Sequence, residues 1–186
     1  MVSGGPATTG YTILGVLSFG RELSGYDVKK WADASLKFFF LSPALSQIYS
    51  ELQRLERLGL VKSRVVSRDE VRGKRVYRIT REGRRSLTSW VNTEDVEAPA
   101  LKHSVVLRVW LGHLAAPERL RTILNEHVKA SDALAAEALD DQKQTSDEAD
   151  YAFPHAVLRW AHDYYKSEAR LARRLLAALP EQGAPH

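Results

Sequence analysis

The chain has 186 residues, no cysteine and a formal net charge of +4 at pH 7. The lack of thiols excludes disulfides, cysteine catalysis and zinc–thiolate sites, and no apolar run approaches the roughly 18 residues that a membrane span needs. The first ten residues show no export signal, so residence in the cytoplasm is expected.

The charge divides unevenly along the chain. Residues 1–92 carry 16 Lys and Arg against 8 Asp and Glu, a net charge of +8, whereas residues 93–186 carry 11 against 15, a net charge of −4. A basic half is typical of a protein that contacts nucleic acid. A membrane-surface segment would place its cations beside the apolar face of one helix, and here they are spread over a helix and a hairpin.

Two helices are predicted at the start of the basic half. The first is the apolar run at residues 11–17, which ends before Gly20. The second opens at Ser24, a capping residue, with Asp27 at the reciprocal position of a capping box. Val28 and Trp31 then lie on the face that this second helix buries.

The third predicted helix lies between Ser42 and Gly59 and has two contrasting faces. Ser42 is the expected N-cap, and Gly59 is suited to the left-handed conformation that ends a helix. One face is an apolar stripe of Leu45, Ile48, Leu52 and Leu55. The opposite face carries Pro43, Ser46, Gln47, Ser50, Arg54 and Arg57. Small polar side chains and arginines suit contact with base edges and phosphates, although a plainly solvated face is the alternative for one helix in isolation.

A change of period from 3.6 to 2 after Gly59 predicts a hairpin, with strands at 61–66 and 76–79. Its tip carries four basic residues, Arg68, Arg72, Lys74 and Arg75. Three helices followed by a basic hairpin is the order of a winged helix-turn-helix, in which the third helix enters the major groove and the wing grips flanking phosphates. Arg72, Lys74 and Arg75 are predicted phosphate contacts, with a solvated turn as the alternative.

The rest of the chain is predicted to be helical. Thr80 caps a fourth helix, and three more follow: an apolar segment at 101–114 that should be buried, one that begins at Pro117, and one from about Pro154 to Leu179. Their long apolar stripes predict a homodimer joined by the C-terminal helices. The fold class is therefore mainly α, with α+β character from the wing. The predicted divisions are a winged helix-turn-helix domain at 1–92, a linker at 93–100, a helical dimerisation and effector domain at 101–180, and a disordered tail at 181–186.

Aromatic residues and histidines are the candidates for other kinds of site. Trp110, Trp160 and Tyr164 are candidate effector-binding residues, although aromatic residues at helical spacing more often lie in a core or a dimer seam. His103, His113, His155 and His162 lack the local spacing of metal-binding motifs, so neither a metal nor a cofactor is expected. No activated nucleophile, paired carboxylates or phosphate-binding glycine loop is visible, so no enzyme activity is expected.

The order of residues resembles the PadR family of bacterial transcriptional regulators. The matching segments are Ser24-Gly25-Tyr26, Ser42-Pro43, the run at 48–55, the run at 74–80 and Glu82-Gly83. More loosely, residues 101–114 and the last helix resemble the helical C-terminal domain of the subgroup that includes the phenolic-acid regulators.

The resemblance implies a dimeric repressor, or occasionally an activator, that binds an inverted repeat in double-stranded DNA and is released by a small molecule or another signal. The predicted DNA-contacting residues are Ser42, Ser46, Gln47, Tyr49, Ser50, Arg54, Arg72, Lys74 and Arg75. Tyr49 lies at the margin of the buried stripe, where its ring can pack while its hydroxyl meets a phosphate. The alternative is a winged-helix module that contacts proteins without sequence-specific DNA binding.

Overall fold

The computed structural model describes residues 5–40, 42–66, 73–96, 98–145 and 151–180. The predicted phosphate contact Arg72 and the tail predicted to be disordered at 181–186 lie outside these ranges. The chain divides into two compact units, residues 1–97 and 98–186, which are called the N-terminal and C-terminal units and are described separately. Both are mainly helical, as predicted.

The N-terminal unit contains four helices and one hairpin. Its elements in order are α1 (Thr8–Ser18), α2 (Gly25–Trp31) with a following turn of π-helix (Ala32–Leu36), α3 (Leu45–Arg57), β1 (Val61–Val66), β2 (Lys74–Ile79) and α4 (Arg81–Thr93). The strands are antiparallel, with Ser63 opposite Tyr77. Leu23 exchanges two backbone hydrogen bonds with Tyr77, at 2.8 and 3.0 Å, on the other edge of β2. An isolated hairpin is marginal in water, and this bridge ties it to the segment before α2.

The core of the N-terminal unit lies where α1, α2, α3 and the hairpin meet. Its largest fully buried side chains are Ile13, Leu14, Leu17, Val28, Ile48, Leu52, Leu55 and Val61. The predicted stripe of α3 is confirmed for Ile48, Leu52 and Leu55, each 0% exposed. Leu45 is 38% exposed, because it is the first residue of the helix and the core begins one turn later.

The start of α3 differs from the prediction. The N-cap residue is Ala44, whose N–H donates to Gln47 Oε1 at 2.9 Å, so a side chain of the first turn reaches back to the cap. Ser42 instead donates to Asp33 Oδ1 at 2.6 Å and accepts from Lys29 Nζ at 3.2 Å. Ser42 was wrongly predicted to cap α3, because the helix begins later and its hydroxyl fastens the preceding loop to α2.

Two predicted helix ends are confirmed around the hairpin. Gly59, which follows α3, has φ of 71°. Thr80 caps α4: its Oγ1 accepts from the Gly83 N–H at 3.0 Å and donates to the Gly59 carbonyl at 2.8 Å. Gly83 packs so closely that a Cβ placed on it would lie 2.0 Å from the Leu60 carbonyl oxygen. The first turn of α4 is therefore held against the chain that leaves α3.

The C-terminal unit consists of α5 (Ser104–Trp110), a short 3-10 turn (Gly112–Leu114), α6 (Pro117–Gln144) and α7 (Ala152–Ala178). Helices α6 and α7 form an antiparallel pair. Arg121, near the start of α6, donates a hydrogen bond to the carbonyl of Pro180, just after the end of α7. Small buried residues such as Ala135, Ala161 and Ala169 let the two backbones approach closely. The prediction that α6 begins at Pro117 is confirmed.

Helix α5 was wrongly predicted to be central and buried. None of its residues is buried, and Leu107 and Trp110 are 55% and 77% exposed. The helix has only seven residues and packs on α6. Because α5 is apolar on nearly every side, the face that points away from α6 stays exposed within a single chain. Among the described residues, no helix combines the length and the apolar character needed to span a membrane.

Candidate nucleic-acid interface

The exposed face of α3 is the centre of the candidate site. It lies opposite Ile48, Leu52 and Leu55, because successive residues of a helix are about 100° apart. Its exposed residues are Ser46, Gln47, Ser50, Gln53 and Arg57. Gln53 is absent from the predicted site residues, although its spacing from Ser46 and Ser50 places it on the same face. This set is called the α3 polar face below.

Tyr49 lies beside this face and packs against the start of α2. The side chain is 40% exposed, and a Cβ placed on Gly25 would lie 2.5 Å from Tyr49 Cε1. Only glycine lets the ring rest on the first turn of α2, which explains the Ser24-Gly25-Tyr26 motif. The contact sets α2 against α3, the two helices of the helix-turn-helix.

The N-terminus of α2 is linked to the hairpin by a carboxylate. Ser24 and Asp27 form the predicted capping box: the Ser24 N–H donates to Asp27 Oδ2 at 2.9 Å, and the Asp27 N–H donates to Ser24 Oγ at 3.2 Å. Lys74 Nζ at the start of β2 lies 2.8 Å from the same Asp27 Oδ2. Lys74 first, and then Ser24, lower the pKa of Asp27 to about 2.

We expect this carboxylate to make stability depend on pH in a defined window. A carboxyl whose pKa is lowered by folding stabilises the protein above its unfolded pKa of about 3.9, and the contribution is lost as the pH falls. The difference in free energy of unfolding between the parent and Asp27→Asn should therefore be constant above about pH 5 and shrink as the pH falls toward about 2. Urea denaturation at a series of pH values measures it. In a Lys74→Met background, the pH range over which this difference in free energy changes should narrow. An unchanged pH range would contradict the assignment of the pKa shift to Lys74.

The other predicted basic contacts also have partners inside the N-terminal unit. Arg54 donates to Glu51 Oε1 and to the Gly5 carbonyl, both at 2.9 Å. Arg75 lies 3.8 Å from a carboxylate oxygen of Glu56. Exposed ion pairs contribute little to stability, so a phosphate can compete for these cations. Arg54 has the more constrained position, because it also binds the backbone of the segment before α1.

Arg57, Lys62 and Arg78 are exposed cations on or near the α3 polar face and the hairpin, and none of them forms an ion pair shorter than 4.0 Å with a described residue. Lys62 and Arg78 lie directly opposite each other on β1 and β2, and both are exposed. Like charges at opposed strand positions repel, and a bound anion would relieve the repulsion. Neither Lys62 nor Arg78 was predicted as a site residue, although the two-residue period of the strands places them together.

The candidate effector residues are only partly brought together. Trp160 and Tyr164 stack one turn apart on α7, with ring centroids 5.3 Å apart, and are 52% and 39% exposed. Trp110 projects from α5. None of the three lines the groove of about 460 Å³ in the C-terminal unit, whose wall includes Leu101 and Leu124. Their role in binding an effector stays a prediction.

The packed α1–α3 core, the hairpin that follows it and the exposed α3 polar face define a winged helix-turn-helix. Residues 13–89 match the sequence model of the family described as the Transcriptional regulator PadR-like family. The match lies within the N-terminal unit, so residues 13–89 are similar to this PadR-like family of transcriptional regulators.

One curated relative is similar to part of the chain. The "Negative transcriptional regulator PadR" of Bacillus subtilis (strain 168) is 32% identical over 100 residues, which are 54% of this chain and 54% of that protein. That match therefore extends over about half the length of the curated relative.

Solved structures are similar over nearly the whole chain. The structure of Bacillus subtilis PadR in complex with operator DNA has a TM-score of 0.80 and 22% identity, covering 94% of this chain and 100% of that one. The same protein in complex with p-coumaric acid has a TM-score of 0.73 and 23% identity, with the same coverage. At this level of identity the likeness shows the fold, which includes the helical C-terminal unit.

Proposed function

We propose that the chain is a dimeric transcriptional repressor that binds an inverted-repeat operator in double-stranded DNA and has no catalytic activity of its own. The observation that carries this proposal is the α3 polar face, which stays exposed while the opposite stripe is fully buried. The net charge of +8 on residues 1–92 supports it, since phosphate neutralisation dominates DNA affinity. Repression is supported by the curated relative, a negative regulator. The proposed location is the cytoplasm.

Within the interface, Ser46, Gln47 and Ser50 are proposed to face base edges. The Oε1 atom of Gln47 is engaged by the Ala44 N–H, so its NH₂ group remains as a donor, which suits acceptors on purines in the major groove. Contacts with the sugar–phosphate backbone of the DNA are proposed for the other predicted residues, Ser42, Tyr49, Arg54, Arg72, Lys74 and Arg75. Three further cations are added to this set: Arg57, Lys62 and Arg78.

Dimerisation is proposed to occur through the C-terminal unit. The unit exposes large apolar side chains that a monomer would leave in water. The most exposed are Leu101, Trp110, Leu114 and Phe153, each at least 77% exposed. Sedimentation at several concentrations should show a dimer, and the two copies of α3 should lie about 34 Å apart, one turn of B-DNA. A monomer at every concentration would contradict this proposal.

Release by a small molecule is also proposed. It is supported by the complex of Bacillus subtilis PadR with p-coumaric acid, and Trp110, Trp160 and Tyr164 are its candidate contacts. Phenolic acids should then lower operator affinity and change tryptophan fluorescence. If Trp160→Leu leaves both responses intact, Trp160 is not a contact.

The decisive experiment is a gel shift with the full chain on the DNA upstream of its own gene, with unrelated duplex DNA as the competitor. Specific binding should exceed binding to unrelated DNA by about 10³-fold or more. If the two affinities are equal at every salt concentration, the sequence-specific regulator is rejected and a winged-helix module for protein contacts takes its place.

Arg57 supplies a residue-level prediction. Replacing Arg57 with alanine should weaken all duplexes alike and reduce the slope of log K against log salt by about 0.9, the value for one phosphate contact. Fluorescence anisotropy over a range of salt concentrations measures the slope. Lys129→Ala, on the exposed side of α6, serves as the matched loss of one charge and should keep the parent slope. Equal slopes for Arg57→Ala and the parent would remove Arg57 from the interface.

A further inference from the structure

Three segments of the C-terminal unit bring two histidines and a glutamate together. His103 directly precedes α5, His127 lies in α6 and Glu168 lies in α7. His103 Nε2 is 2.7 Å from Glu168 Oε1, and His127 Nε2 is 3.1 Å from the same oxygen. One potential ligand atom from each residue lies within 4.8 Å of the other two. Among the described residues, this is the group of His, Cys, Asp or Glu side chains that meets this criterion.

The three side chains are partly shielded from water. They are only 15%, 22% and 16% exposed for His103, His127 and Glu168. All three line the groove of about 460 Å³, whose wall is otherwise mostly aliphatic and includes one cation, Arg174. Burial by itself raises the pKa of Glu168, but the hydrogen bonds from the two imidazoles outweigh it and hold the pKa below its ordinary value. The carboxylate is therefore ionised at neutral pH.

We propose that His103, His127 and Glu168 bind one divalent transition-metal ion of the Zn²⁺ class. Two imidazole nitrogens and one carboxylate oxygen form a donor set that Zn²⁺ accepts with a fourth position open, whereas Mg²⁺ and Ca²⁺ prefer oxygen ligands. Ligand atoms about 2.0–2.1 Å from a tetrahedral ion are about 3.3 Å apart. The two nitrogen–oxygen separations, 2.7 and 3.1 Å, are slightly shorter than that value, and the two imidazole nitrogens lie within 4.8 Å of each other. Small side-chain movements therefore complete the site, and the groove admits a water as fourth ligand.

Binding requires a change of tautomer at both histidines, because the Nε2 atoms of His103 and His127 each donate to Glu168 when no metal is bound. His103 Nδ1 accepts the Val106 N–H at 3.2 Å, so Nε2 carries the proton in the neutral ring and donates it to Glu168. Coordination through Nε2 moves the proton to Nδ1, which no longer accepts from the Val106 N–H, so water takes its place as the acceptor. The loss of this hydrogen bond costs little free energy, because the bond is long and its atoms are exposed to water.

The ligands come from positions that local motifs do not connect. His127 follows His103 by 24 residues and Glu168 follows His127 by 41, so a search for closely spaced histidines predicts no metal site. The ion would fasten the start of α5 to the α6–α7 pair, and its binding free energy would add to the stability of this unit.

The test uses the full chain without an affinity tag, freed of metal with a chelator and titrated with Co²⁺ and then Zn²⁺. The chain has no cysteine, so visible Co²⁺ absorption would report histidine and carboxylate ligation. We expect one Co²⁺ per chain, displacement by Zn²⁺, and a higher midpoint of thermal unfolding with Zn²⁺. Glu168→Gln, His127→Gln and His103→Asn should each weaken binding by at least about tenfold.

The variants are chosen to separate ligation from folding. His103→Asn keeps an acceptor for the Val106 N–H while removing Nε2, and circular dichroism of each metal-free variant checks that it folds. His113→Ala, an exposed histidine of the same unit, is the matched control and should bind like the parent. The proposal is overturned if the parent takes up no Co²⁺, if Glu168→Gln and His103→Asn bind as tightly as the parent, or if His113→Ala loses as much affinity as they do.

Discussion

Replacing Ser50 with glutamate should lower operator affinity by about 100-fold while leaving the free energy of unfolding unchanged. Ser50 lies on the α3 polar face, opposite the buried stripe. A carboxylate placed there would lie in the major groove between the two rows of phosphates, and like-charge contacts across an interface cost several kcal/mol. A loss of about 2.7 kcal/mol corresponds to that factor.

The control for this substitution is Ser89→Glu. Ser89 is exposed on α4, which packs on α1, so the variant adds the same charge to the same unit away from α3. It should lose affinity only through the change in net charge, by a small factor that added salt removes. Anisotropy measurements on one operator duplex compare the two variants. If Ser50→Glu binds as well as Ser89→Glu, α3 is not the helix that meets DNA.

Replacing Gly83 with alanine should lower the free energy of unfolding by about 1–3 kcal/mol or more. The added Cβ would lie 2.0 Å from the Leu60 carbonyl oxygen and 2.9 Å from its carbon, and a backbone group cannot turn away as a side-chain tip can. The first turn of α4 must therefore move, which also strains the hydrogen bond from the Gly83 N–H to Thr80. For a unit of this size the midpoint of thermal unfolding should fall by about 4–8 °C per kcal/mol.

Gly15→Ala is the matched control for Gly83→Ala. Gly15 lies inside α1, and a Cβ placed there has no atom within 4 Å. Alanine is favoured over glycine in a helix by about 1 kcal/mol or less, so this variant should be as stable as the parent or more stable. Chemical denaturation of both variants and the parent measures the three free energies of unfolding. A Gly83→Ala protein as stable as Gly15→Ala would show that the close approach to Leu60 carries no cost.

The α3 polar face illustrates what periodicity alone can predict. Buried Ile48, Leu52 and Leu55 follow the helical period, and the polar residues follow by opposition. The same period also places Gln53 on this face, although Gln53 is not among the predicted contacts. Periodicity within one element does not predict contacts between residues that are far apart in the chain. Lys74 pairs with Asp27, 47 residues earlier, and Arg54 donates to the Gly5 carbonyl.

The sequence by itself determined the order of elements, the buried stripe of α3, the glycine and threonine that end and begin helices around the hairpin, and the basic character of the first half. These features depend on local backbone preferences and on residue spacing within one element, which the order of residues specifies directly. Only the tertiary structure decided that Ser42 binds Asp33 instead of capping α3, that α5 stays uncovered, and that His103, His127 and Glu168 meet. Those outcomes depend on distances between elements far apart in the chain, which are set when the elements pack against one another.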